Sequence, residues 1–412
     1  MEQPEMHDAA LVRERARAVL LAHWVSAGYA VPNPTTYPWQ WLWDSCFHAV
    51  CWADLGDDRA LVELQTALSV QSEDGFVPHM NYVRQPTASV DYWGRAGASC
   101  ITQPPMYGHA VSELIRRDID VPEETVARAE RGLEFLLFKR QRCPSGLIAL
   151  CHPWESGADN SPRWDDWCPG GFVLARWRKT KQQLLGSIVS NDQGSAVSNP
   201  DFAVGSVGFN ALVVFNAREL VGKTGNPHLS KAAEELAECL ASRWDASLRT
   251  WVDDAADQAG SVRARTVDSL LAMLVVDAHN NSAAICAVAE DLADPAAYGA
   301  TYGPTGVHRA EPTYDPNTYW RGPAWPQLNY LLWLGLLRHG LTQVAAQIAR
   351  CTVQGAMQSG FGEYWNPDDA STTGAVPQSW TALAAVLANT GADLPDSSGN
   401  SADQDNSVDV QG

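Results

Sequence analysis

Positive charge is scarce in this chain. Lys and Arg number 29 against 48 Asp and Glu in 412 residues, a formal charge of −19. A nucleic-acid binder needs a basic footprint, and none is present. The acidic balance reads as solubility, and its field repels an anionic substrate unless local Arg or Lys reverses it. Long apolar runs are also missing. None reaches ~18 residues, the length that suggests a membrane span, so no membrane partner is expected. Residues 1–24, MEQPEMHDAALVRERARAVLLAHW, are charged, with apolar positions at helical spacing. They predict an amphipathic helix rather than a signal peptide. The nine cysteines are irregularly spaced. An odd count without a secretory signal points to reduced thiols and a cytoplasmic location. CFHAVC, Cys46 to Cys51 with His48, has no second Cys or His pair at ligand spacing. No metal site is expected, and these residues read as small buried positions on a helix.

Strand signals are few. SGLIALCHP, residues 145–153, alternates enough for a strand or hairpin arm. Helical periodicity dominates. Apolar positions recur at i, i+3, i+4 and i+7 near 8–27, 45–55, 58–71, 105–117, 122–140, 208–223, 228–245, 264–277, 281–292, 324–339, 341–358 and 378–390. A further helix is expected within 166–186. Residues 216–244 read as helix, Gly-containing turn, then a helix capped near Ser230. The pattern predicts an all-α architecture whose antiparallel helix pairs close into a ring, with one folded unit over 1–392. The last stretch, 393–412, carries five Asp and no basic residue and is expected to be a disordered tail.

The long connections, 28–44, 72–104, 145–165, 187–206, 294–323 and 360–377, hold nearly every Trp-, Asp-, Glu- and Pro-rich motif. Loops of that length are uncommon unless functional. Residues 187–206 are small and polar, and read as a lid or a surface excursion. Tryptophan is abundant, 17 residues, and the loop tryptophans suggest flat walls of the kind sugar clefts use. Glycosidic hydrolysis needs two carboxyl groups facing each other across a cleft, one protonated and one ionised. Asp159, in WESGADNSPRWD, is the candidate acid, since nearby Trp154 and Trp164 would desolvate it. Taken alone, DNSP is more simply an Asx-turn. Glu363, in FGEYWNP, is the second candidate, and alone it too reads more simply as a surface loop residue. In TYPWQWLWDSCFHA, Trp39, Trp41 and Trp43 share one face if the segment is extended. Asp44 follows as a helix N-cap or a ligand for two sugar hydroxyls. TYWRGPAWPQLNYLLW places Pro323 and Pro326 at a helix start, and QSWTALAAVLA begins another with Gln378 and Trp380.

Together, ESGADNSPRWD, YPWQWLWDSCFHA, YWRGPAWPQLNYLLW and FGEYWNP with QSWTALAA resemble the (α/α)6-toroid glycoside hydrolases of family 63. The trehalases of family 37 are more distant. The resemblance covers roughly 30–390, and the short chain looks most like the bacterial glucosylglycerate and mannosylglycerate hydrolases. It implies an inverting, exo-acting α-glycosidase for a small glycoside, with Asp159 as general acid and Glu363 as general base and no cofactor. It implies a hexose subsite lined by Tyr37, Trp41 and Asp44, completed by Gln103, Trp154, Tyr319, Trp320, Gln378 and Trp380. Inversion predicts carboxyl groups ~6.5–9.5 Å apart. Glu155 and Asp165 are expected to hold Arg163 and nearby backbone. A glycerate aglycone calls for a cation. Lys179 and Lys181 are the only basic residues between Arg178 and Arg218, and Arg84, Arg309 and Arg321 are other candidates. A neutral, trehalose-like disaccharide therefore stays open. So does a sugar epimerase, although His48, His79, His109, His152 and His308 form no paired motif. A non-catalytic sugar binder would keep the tryptophans and could lose either acid.

Overall fold

The computed structural model describes residues 8–168, 170–255 and 263–389; the acidic tail lies outside them. The described chain is mostly helical. Its helices are α1 Ala9–His23, α2 Leu42–Asp54, α3 Arg59–Leu68, α4 Val90–Trp93, α5 Tyr107–Arg116, α6 Glu123–Lys139, α7 Leu174–Gly186, α8 Val207–Thr224, α9 Pro227–Ala241, α10 Ser282–Ala293, α11 Pro326–Arg338, α12 Thr342–Gln358 and α13 Leu383–Ala388. Strands occur as two-stranded antiparallel ribbons in the connections, such as Gln40–Trp41 with Met80–Asn81.

Local chemistry sets the helix ends. Asp8 caps α1 by accepting from the Ala10 N–H at 2.9 Å. Ser206 caps α8, which stops at Gly225 in the left-handed region. Asn226 caps α9 and Pro227 opens it, so that cap falls four residues before the expected Ser230.

Packing closes a ring. α2 contacts α5, α5 contacts α8, and α8 contacts the 3-10 segment Val267–Leu274, which contacts α11; α11 then contacts α13, and α13 returns to α2. α3 packs on α2, α6 on α5, α9 on α8 and α12 on α11, while α1 covers α13. One apolar cluster runs from Val12 to Leu387.

Three expectations are corrected. Residues 264–277 do not make an α-helix; Val267–Leu274 is 3-10. Eight mostly apolar residues cannot distinguish a 3.0 from a 3.6 period. The segment packs closely against α8, where Gly208 leaves no room for a Cβ beside the Asp268 carbonyl. Asp44 is not an N-cap, because α2 already begins at Leu42 with Trp41 as its cap residue. Trp43 is therefore helical, and the three tryptophans do not share an extended face. SGLIALCHP does supply a short hairpin arm: Ile148 bridges Arg142, with Cys143 N donating to the Leu147 carbonyl at 2.8 Å and Ala149 N to that of Gln141 at 2.9 Å, and Leu150 bridges Val204. Within 187–206, a ribbon of Val189–Ser190 with Ala196–Ser198 is pinned at its base. Asn199 Nδ2 donates to the Cys151 and Leu184 carbonyls at 2.7 and 2.9 Å.

Candidate active site

Two adjoining chambers, termed inner and outer, share Trp41, Gln103 and Asp159 in their walls. The inner one is lined by Pro32, Tyr37, Trp41, Trp43, Asp44, Gln103, Gly157, Asp159, Tyr319, Glu363, Gln378 and Trp380. Nine of the expected site residues meet there from loops far apart in sequence. Trp154 lines the outer chamber, a cavity of about 540 Å³ that shares Trp41, Gln103 and Asp159 with the inner one. Trp320 lines neither. Its backbone is left-handed (φ 62°) and its ring stacks flat on Trp325, 3.6 Å between centroids, behind Tyr319.

The loop that carries Asp159 is built by its neighbours. Gly157 has φ 76°, and an added Cβ would lie 2.5 Å from the Trp43 ring, so only glycine fits this turn. Trp164 Nε1 donates to the Ala158 carbonyl at 2.7 Å, and Trp177 Nε1 to the Asp159 carbonyl at 2.9 Å. The side chain of Asp159 is left to face both chambers. Burial pushes its carboxyl up to about 6, while the charge of Lys181 and a hydrogen bond from its own backbone pull the other way.

Glu363 is the second carboxyl of the chamber. Burial also raises it, and the charge of Asp159 adds to the rise. However, it accepts from the Ala375 N–H at 3.0 Å, from Tyr37 Oη at 3.0 Å and from Tyr319 Oη at 3.5 Å. These bonds favour its ionised form. The segment 378–381 staples its loop: Gln378 N donates to the Phe361 carbonyl at 2.7 Å, Trp380 Nε1 to that of Glu363 at 3.1 Å, and Thr381 Oγ1 to that of Gly362 at 2.8 Å. Asp44, on the first turn of α2, is buried and pushed up to about 7 by desolvation. Among the described residues, Trp41 Nε1 and Gln378 Oε1 are buried without a hydrogen-bond partner. A cleft with two unlike carboxyls and ring walls suits acid–base chemistry on a polyhydroxylated ligand.

Comparison with known proteins agrees. Residues 37–381 match the mannosylglycerate hydrolase MGH1-like glycoside hydrolase domain. The chain is a family 63 glycoside hydrolase. It is 30% identical to mannosylglycerate hydrolase MGH1 of Selaginella moellendorffii over 88% of this chain and 82% of that one. It is 28% identical to the glucosylglycerate hydrolase of Mycolicibacterium hassiacum, over 86% and 92%. The crystal structure of the family 63 mannosylglycerate hydrolase from Thermus thermophilus with glucose superposes with a TM-score of 0.79 at 26% identity, covering 92% of this chain and all of that one. Neutral trehalase Nth1 from Saccharomyces cerevisiae shares the fold alone, at 13% identity and a TM-score of 0.57 over 89% and 73%. No described helix is long and apolar enough to cross a membrane.

In this hydrolase the acids around Asp159 serve as braces. Arg163 does not pair with Glu155 or Asp165 as expected. Its guanidinium binds Asp253 at 2.7 Å, Ser206 Oγ at 3.1 Å and also Asp268, joining the Asp159 loop to the start of α8 and to the 3-10 segment. Glu155 takes buried Arg140 instead, at 2.6 and 3.0 Å, and Asp165 takes Arg321. Arg309 pairs with Asp368, and Arg84 lies over the Trp39 ring. The cations of the outer chamber are the ones sequence reading undervalued. Arg178, Lys181 and Gln182, at i, i+3 and i+4 on α7, all line it, together with His79, Met80, Tyr82, Tyr92 and Trp93. Their helical spacing was the available signal. A Ser379–His48–Glu63 chain, 2.8 and 3.2 Å, resembles a nucleophilic triad but is sealed in the core and lines neither chamber. Ser379 also holds the Pro32 carbonyl, so the chain braces the inner wall. His109, Glu113 and Glu219 cluster at metal-like distances, yet Arg116, Arg117 and Arg338 already bind the two carboxylates. No metal is assigned there.

Proposed function

We propose that this hydrolase cleaves an α-linked hexosyl glycerate, glucosylglycerate or mannosylglycerate, with inversion at the anomeric carbon. The observation that carries the reading is the pairing of chambers. The inner one offers two carboxyls, Asp44 and unpartnered donors and acceptors to a hexose. The outer one offers Arg178 and Lys181 to a carboxylate, just past Asp159. We read the closed ring of six inner helical segments as the (α/α)6 toroid and the folded chain as one catalytic domain.

The two carboxyls divide the work by environment. Asp159, raised by burial, gives its proton to the glycosidic oxygen as the bond to the anomeric carbon breaks. Glu363, whose ionised form is favoured by hydrogen bonds from Tyr37, Tyr319 and the Ala375 N–H, takes a proton from water attacking the opposite face. Hexose of inverted configuration and free glycerate result. Asp159 is then ionised and Glu363 protonated, and solvent exchange restores both. Tyr37, Trp41, Asp44, Gln103, Tyr319, Gln378 and Trp380 hold the hexose, while Trp154 borders the aglycone.

The test is hexose release from glucosylglycerate, mannosylglycerate, trehalose, kojibiose and nigerose, with the anomer formed read by proton NMR. Release from a glycerate glycoside as the inverted anomer, lost in Asp159→Asn and Glu363→Gln, is expected. Release only from a neutral disaccharide would replace the glycerate reading. Activity surviving both substitutions would remove the pair from catalysis.

A further inference from the structure

Lys181 is a buried cation next to a group that must be protonated to act. Its Nζ donates to Asn160 Oδ1 at 3.0 Å, one residue from Asp159. It sits over the Trp154 ring at 5.3 Å and the Trp177 ring at 5.7 Å. Trp177 in turn holds the Asp159 carbonyl. The cation is therefore locked to the acid loop from two sides. Buried Arg140, Arg163 and Arg321 each carry a carboxylate ion pair, whereas among the described residues none lies within 4 Å of Lys181. Two of its three N–H donors stay available on the wall of the outer chamber. A cation beside Asp159 favours the ionised carboxylate, the wrong form for a general acid.

We infer that Lys181 makes the proton of Asp159 conditional on the substrate, so that an anionic aglycone seated on Arg178 and Lys181 arms the acid and a neutral one does not. The inference rests on the proposed acid role of Asp159 and on a glycerate-type substrate. The bound carboxylate screens Lys181 and adds its own negative charge near Asp159, and both effects favour the protonated acid. Specificity for an acidic aglycone then resides in kcat as well as in binding.

Other charges facing Asp159 do not mimic this. Tyr37 and Tyr319 are pushed up by burial and stay neutral. His152, whose ring contacts the Lys181 carbonyl, is pushed down to about 3 by burial and is neutral. Glu363 and Asp44 face the hexose, which is common to the substrates compared below, so their contribution cancels.

The experiment compares a hexosyl glycerate with the matching hexosyl glycerol, in which a neutral CH₂OH replaces the carboxylate. The alkaline limb of kcat/KM reports Asp159 in the free enzyme, and that of kcat reports it in the complex. For the glycerate substrate the kcat limb is expected ~1 pH unit above the kcat/KM limb, and for the glycerol substrate the two coincide. Lys181→Met should raise the free-enzyme limb, narrow the gap to what the substrate's own charge contributes and improve glycerol-glycoside hydrolysis above pH 7. Lys181→Arg, keeping the charge, should retain the gap. Coincident limbs for the wild type on the glycerate substrate, or a Lys181→Met enzyme with unmoved limbs, would overturn the inference alone. No hexose release from any glycerate glycoside would overturn the proposed function and this inference together.

Discussion

Tyr37→Phe removes one oxygen and isolates one term in the chemistry of Glu363. The carboxylate accepts from Tyr37 Oη and the Ala375 N–H at 3.0 Å each, and more weakly from Tyr319 Oη at 3.5 Å. A hydrogen bond to a charged group is worth ~1.5–3 kcal/mol. Tyr319 can tighten to replace part of it, which leaves the lower end, ~1.4 kcal/mol or one pH unit. The sign follows from the state stabilised: the lost bond favoured the ionised form, so Glu363 becomes harder to ionise. The acidic limb of kcat/KM, which reports the base, should therefore move up by ~1 unit. At the pH of the wild-type limb, activity should fall ~5-fold, while well above it the loss should shrink to whatever the missing hexose contact contributes. The assay is hexose release across pH 4–9, with circular dichroism to confirm folding. An unmoved acidic limb would refute the role of Tyr37. A moved alkaline limb would show that Glu363 is the acid and Asp159 the base.

Gly157→Ala drives a methyl into the Trp43 ring at a left-handed backbone position. It should lower stability by ~1–3 kcal/mol and kcat by more than tenfold, since Asp159 moves with the turn; thermal melts and single-turnover rates check both. Arg140→Met leaves Glu155 buried with no counter-charge and should cost ~3–5 kcal/mol in urea unfolding, and adding Glu155→Gln should restore part of it. Burial pushes Glu219 up, but His109, Arg116 and Arg338 outweigh it and hold it down to about 2. Its folded value lies below its unfolded one, so its contribution is full above pH ~4.5 and fades toward pH 2, by up to ~3 kcal/mol. Unfolding free energy between pH 5 and 2.5 should fall less steeply in Glu219→Gln than in the wild type, and identical slopes would refute the assignment.

What the sequence disclosed was local. Helical periods and caps are written in neighbouring residues, and so are the glycine, proline and tryptophan that shape the loops of Asp159 and Glu363. Those carboxyls were legible because each stands inside its own motif. The cations on α7 were not, because Arg178 and Lys181 gain meaning only from the direction in which that helix turns its face. The acids of WESGADNSPRWD were misread for the same reason. Glu155 finds its arginine 15 residues away and Asp165 finds its own 156 away, and no spacing rule reaches so far. Trp320 matched its motif but is turned aside by one backbone angle. The 3-10 segment was missed because eight residues are too few to betray their period.

The ring is shut by two segments far apart in sequence. Ser379 donates to the Pro32 carbonyl across 347 residues, and α1 packs on α13. Pro32, Gln378 and Trp380 line the same chamber. A chain still emerging from the ribosome can thus wind most of its helices and remain catalytically silent, because the wall of the proposed sugar site takes residues from both Pro32 and 378–380. In refolding, the return of hexose release would time the meeting of these segments, while circular dichroism would time the helices that precede it.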